Sequence, residues 1–91
     1  DFNCEPGSAE YRAIVGETPY HPGARYRHGM GDAAAGMALH THEKLIAGEV
    51  RLRQLDHVFL DASFAPRLGR VWADTACPAS DHFPLWAEID L

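Results

Sequence analysis

Residues 51–61 read RLRQLDHVFLD, from Arg51 to Asp61, and this run decides the fold. Leu52, Leu55, Val58, Phe59 and Leu60 make a β-branched and aromatic series that predicts a central strand. Asp56 interrupts it. A carboxylate inside an apolar strand is costly unless it is paired or hydrogen-bonded. Two arrangements satisfy it: an orienting contact to one ring nitrogen of a histidine, or a bulge whose backbone groups bond the carboxylate. His57 follows and is expected on the opposite face.

Two further strands are predicted downstream, RVWADT at residues 70–75 and FPLWAEIDL at residues 83–91. In the last, Phe83, Leu85, Ala87 and Ile89 share one parity, and Pro84, Trp86, Glu88 and Asp90 the other. Trp72 and Trp86 are assigned to the core or a sheet face. Upstream, Pro6-Gly7-Ser8 forms a turn whose serine caps a helix over residues 9–15, with Tyr11, Ile14 and Val15 on one stripe and Gly16 as its stop. Residues 17–31 carry loop signals, residues 32–37 predict a short helix capped by Asp32, residues 38–42 a short strand and residues 43–49 a loop. A helix, a long irregular connection and three clustered strands predict an α+β domain or half of a layered α/β domain.

Ninety-one residues make one small domain, with 46% hydrophobic and 23% charged residues, which are ordinary globular values. Thirteen acidic against eight basic residues give a net charge of -5. That balance disfavours nucleic acid as a partner, because affinity for it is built on cation–phosphate contacts. Cys4 and Cys77 are too few for a disulfide framework and are expected as free thiols, a bridge between them being the alternative. No run approaches the roughly 20 apolar residues of a membrane span. A chain that opens on Asp1 reads as part of a longer one, so a targeting segment would lie out of view. The compartment stays open, with the cytoplasm favoured.

The chemistry concentrates at both ends of the chain. Asp81-His82 sets a hard oxygen ligand beside a proton carrier, just before the last strand. Asp1 and Asn3, alternate residues of an extended segment, point the same way and offer a carboxylate and an amide. His40 and His42 also alternate, which suits either a solvent-facing pair or two ligands of a transition metal. Arg25, Tyr26, Arg27 and His28 place guanidinium groups and a ring in the long loop, able to grip phosphate and to stack.

Taken in order, DFN with its Pro-Gly-Ser turn and helix, then RQLDHVFL, then SDHFPLWAEI, resemble the C-terminal half of the endonuclease/exonuclease/phosphatase superfamily, which has the pancreatic-deoxyribonuclease-like fold. The resemblance runs along essentially the whole chain, residues 1–91. It implies half of a four-layer α/β sandwich: one mostly antiparallel sheet, one main helix and a long loop. It further implies a phosphoesterase that uses Mg²⁺ or Mn²⁺ on a phosphodiester or phosphomonoester. His82, Asp56, Asp1 and Asn3 would be catalytic, Asp81, Asp1 and Asn3 would hold the metal, and Arg25, Tyr26, Arg27 and His42 would bind substrate. The family's metal-binding glutamate and an early asparagine lie in an N-terminal half with no counterpart here, so that half is an expected partner. Without it, an apolar face of Val58, Leu60, Leu85, Ala87 and Ile89 would be open, and a homodimer would cover it. The alternative is a non-catalytic α/β module that serves in assembly.

Overall fold

The computed structural model describes residues 1–16 and 30–91. Their order is α1 (Ala9–Ile14), β1 (Gly31–Asp32), β2 (His42–Ile46), β3 (Glu49–Arg53), β4 (Phe59–Leu60), a 3₁₀ helix (Ala62–Arg67), β5 (Leu68–Ala73) and β6 (Leu85–Ile89). The chain is mixed α/β, with small antiparallel sheets and few helices. Helix α1 forms where its signals lie. Ser8 stands at the N-cap and its hydroxyl accepts the Tyr11 N–H at 3.3 Å. Gly16, at φ 79°, takes the left-handed turn that ends the helix.

Among the described residues the expected single sheet is replaced by three antiparallel pairs, β1–β4, β2–β3 and β5–β6. The reason lies in the run that predicted a central strand. It breaks after Arg53, because Thr41 Oγ1 accepts the N–H groups of both Leu55 and Asp56 at 3.0 Å. Two consecutive donors bound to one hydroxyl cannot point alternately to two sides, as a strand requires. Around them, the Leu55 carbonyl accepts Phe2 N–H and the Val58 carbonyl accepts Ala33 N–H. Asp56 therefore lies between strands, not within one.

Residues 43–49, read as a loop, belong to the β2–β3 hairpin. Its two-residue turn is Ala47-Gly48, with φ at 51° and 81°, the double positive φ of a tight hairpin turn. Alanine is an unusual occupant there, which concealed the turn. The strand expected over residues 38–42 starts only at His42. The helix expected over residues 32–37 is a series of turns: Asp32 Oδ1 accepts Ala34 N–H at 2.9 Å, and Gly36 at φ 77° stops propagation.

In β5–β6, Trp72 pairs with Trp86 across a register shifted between Leu68 and Val71. Leu85, Ala87 and Ile89 are half-buried while Trp86 and Glu88 are exposed, as the alternation predicts. The two indoles stack at 6.1 Å, with the Arg70 guanidinium over Trp72.

Among the described residues the buried apolar side chains are Cys4, Ala33, Ala34 and Leu55. An aromatic cluster extends this thin core. Phe2 meets Phe59 edge-on at 5.0 Å, and Tyr11 and Phe59 pack on the buried His57. His57 Nε2 donates to the Cys4 carbonyl at 2.7 Å, so its ring belongs to the core while Asp56 faces elsewhere. Both cysteines are free. No helix among the described residues is long and apolar enough to cross a membrane.

Candidate active site

Three stretches that are distant in sequence converge at the open end of β2–β3. Thr41 is fully buried and its N–H bonds the Arg53 carbonyl at 3.0 Å. Its own carbonyl accepts Phe83 N–H at 2.6 Å, and Glu43 N–H bonds the Asp81 carbonyl at 3.1 Å. Between these bonds His42 and His82 form an antiparallel bridge. Residues 41–43, 53–56 and 81–83 are thus fixed to one another by backbone, and their side chains share one small volume.

Asp56 Oδ2 lies 2.7 Å from His82 Nδ1. Burial pushes the Asp56 carboxyl up, but hydrogen bonds from His82 and Thr41 outweigh it, so the group sits below the usual carboxylate range. An ionised carboxylate only accepts, so Nδ1 carries the hydrogen. The Asp56 side chain is 18% exposed. Nε2 of His82 is left facing Asp1 Oδ2 at 3.6 Å. Asp1 Oδ1 accepts Asn3 N–H at 2.7 Å, a turn made with Asn3 at φ 48°, a value asparagine tolerates better than most residues.

A second imidazole and carboxylate stand beside this pair. The His42 ring packs 4.8 Å from that of His82, edge to face. Its Nε2 is 3.4 Å from Asp81 Oδ2, and its Nδ1 is 3.4 Å from Arg53 Nη2. Slight burial raises the Asp81 carboxyl, but Ser80, its own backbone N–H and the two histidines bring it below the ordinary range. Ser80 serves both neighbours: its hydroxyl donates to Asp81 and accepts His82 N–H.

Asp1, Asp56, Asp81 and His82 are therefore brought together, with Asn3 at the edge and exposed. His42 joins them as a buried neighbour of Asp81, while His40 departs to pack on Phe83. Arg25, Tyr26 and Arg27 lie outside the described residues. Thr41 and Arg53 went unnoticed in sequence. The only signal for Thr41 was its place between two histidines in LHTHE. No family model, no curated protein and no solved structure matches the chain.

The geometry itself has clear chemical capacity. An imidazole anchored through Nδ1 presents Nε2 as a group that can exchange a proton. The carboxylates of Asp1 and Asp81 stand close to that ring, and each brings hard oxygen donors. Carboxylate oxygens are the type of donor that Mg²⁺ takes, together with water, and here they lie in two groups that share His82.

Proposed function

We propose that the chain carries part of a metal-dependent phosphoesterase site, in the manner of the superfamily that its motifs resemble. The observation that carries this reading is the 2.7 Å Asp56–His82 pair with Asp1 and Asp81 close to the same ring. Asp56 holds His82 in the tautomer with hydrogen on Nδ1, which leaves Nε2 to exchange a proton with water or, when protonated, to donate to a phosphoryl oxygen. Asp1 accepts a hydrogen bond from the attacking water, and Asn3 positions that water or the phosphate. Asp81, Asp1 and Asn3 would hold Mg²⁺ or Mn²⁺, which supplies charge stabilisation at the phosphoryl group. Arg25, Tyr26, Arg27 and His42 would line the approach for substrate.

In this reading β5–β6 belongs to a sheet of a layered sandwich. The half-buried Leu85, Ala87 and Ile89 support further cover from an N-terminal half, which would also bring the glutamate ligand. The test is hydrolysis of bis-p-nitrophenyl phosphate and p-nitrophenyl phosphate, with Mg²⁺ or Mn²⁺, by the longest reading frame that contains the chain. Turnover there, abolished by His82→Ala, and background rates from residues 1–91 alone are expected. Indifference to His82→Ala, or no turnover of either ester, would overturn the reading.

The assembly module has its own support. On β2–β3, Leu45, Val50 and Leu52 share one face and are 67%, 60% and 54% exposed. An apolar face of this kind invites a partner. Light scattering at micromolar concentration distinguishes a dimer from a monomer. A dimer with no esterase activity in the longer reading frame would favour the module.

A further inference from the structure

We infer that His42, Asp81 and His82 form a site for a borderline divalent cation of the Zn²⁺ class, which shares Asp81 with the oxygen-rich arrangement proposed for Mg²⁺ but differs from it in its two imidazoles. The inference does not depend on the phosphoesterase reading. One ligand atom from each residue, two imidazole nitrogens and a carboxylate oxygen, lies within 4.8 Å of the others. Two imidazoles and a carboxylate suit Zn²⁺ and Co²⁺, and leave one position open for water.

Distance supports this. A direct charge-assisted N–H···O contact closes to about 2.7–2.9 Å. His42 Nε2 and Asp81 Oδ2 stay 3.4 Å apart. With metal–ligand bonds of about 2.0–2.2 Å, neighbouring corners of a tetrahedron lie about 3.4 Å apart. The pair is spaced as two ligands would be.

The rings are also held from behind. Asp56 takes the Nδ1–H of His82 at 2.7 Å, which fixes the ring and leaves Nε2 as its free nitrogen, as an outer carboxylate does for a metal-bound histidine. His42 is buried and fixed by the bridge to His82, so it needs little ordering. Asp81 is 62% exposed, which gives an ion its way in.

Arg53 opposes the ion. A guanidinium only donates, so its contact with His42 Nδ1 favours the tautomer with hydrogen on Nε2. An ion on Nε2 must displace that hydrogen and turn Arg53 away. Arg53 Nε is itself buried without a hydrogen-bond partner among the described residues, so the guanidinium is incompletely held where it lies.

If His82 also works on a phosphoryl group, an ion on its Nε2 blocks that role until it leaves.

The test is titration of residues 1–91 with Zn²⁺ in Mg²⁺-free buffer by calorimetry, with Co²⁺ as a spectroscopic probe. One-to-one saturable binding is expected, with the intense visible absorption of four-coordinate Co²⁺. Asp81→Asn, at an exposed position that spares the fold, and His42→Ala should each weaken binding more than tenfold. Asp56→Asn should weaken it by roughly 10–100-fold through the outer carboxylate. Arg53→Met should tighten it, because the competing donor is gone. Absence of saturable binding would overturn the site, as would equal affinity in wild type and Asp81→Asn. Unchanged or weaker binding in Arg53→Met would overturn ligation through His42 Nε2.

Discussion

Two imidazole–carboxylate pairs lie side by side in this molecule and are built differently. Asp56 meets His82 at 2.7 Å through Nδ1, while Asp81 stands 3.4 Å from Nε2 of His42. In the first pair the carboxylate is mostly covered and its backbone is tied to Thr41; in the second it is largely exposed and its main partner is the adjacent serine. The same two residue types therefore do different work. A short, covered contact fixes a ring and sets its tautomer. A long, exposed one leaves both atoms available to something else.

The largest expected effect separates the pairs by turnover. If the proposed phosphoesterase activity is found, Asp56→Asn should lower it by about 10²–10⁴-fold, because the amide no longer holds the tautomer with hydrogen on Nδ1. Nitrogen-15 shifts of the His82 ring should report the tautomer change, a readout that a purely structural role would not move. If turnover falls while the tautomer stays fixed, Asp56 does not act by orienting His82.

Next in size is the anchor of the first pair. Thr41→Val keeps the shape of the side chain but leaves the Leu55 and Asp56 N–H groups without their acceptor. A buried unsatisfied donor costs about 1–3 kcal/mol, so chemical denaturation should show a loss of that order. Thr41→Ser should recover most of it. A neutral Thr41→Val would mean that the break in the strand is held by something else.

Acid sharpens the contrast further. The Asp56 carboxyl is held below its unfolded value, since its hydrogen bonds outweigh its burial. A depressed carboxylate adds stability above its ordinary value of about pH 4, and that stability is lost as pH falls through the folded-state value. Stability measured from pH 5 downward should therefore fall less steeply in Asp56→Asn than in wild type. Equal slopes would show that the pair is not formed in solution.

The contrast also marks what could be read from sequence. Helix α1 and the alternation of β6 were legible, because a serine cap, a glycine stop and period-two burial are local signals. The residues of the first pair were named from Asp56 within an apolar run and from the Asp-His dipeptide. Their contact spans 26 positions and was expected from triad logic and the resemblance. The long strand that the apolar run predicts is interrupted by Thr41, fourteen residues upstream of Leu55, and no local propensity records such a bond. The hairpin turn was missed because Ala47 occupies a position that usually announces itself as asparagine or aspartate. The second pair was legible only as separate residues, since His42 and Asp81 meet through a bridge that only folding creates.

The smallest effect is a near-absence, and it is the most direct check on the comparison. Asp81→Asn should leave the thermal midpoint of the ion-free chain unchanged within error. The Asp81 side chain is 62% exposed, so water solvates it with or without this contact, and a contact of this kind adds little net stability. At 3.4 Å the contact with His42 is also longer than a direct bond would be. The amide can still accept from Ser80, so little is left unpaired. Zn²⁺ should reverse the outcome. Saturating ion stabilises whichever chain binds it, by mass action on the folded state. Wild type should then melt at a higher temperature than Asp81→Asn, although the two coincide without the ion. If Asp81→Asn already lowers the midpoint in chelator, the second pair is a structural bond like the first and the distinction between them fails.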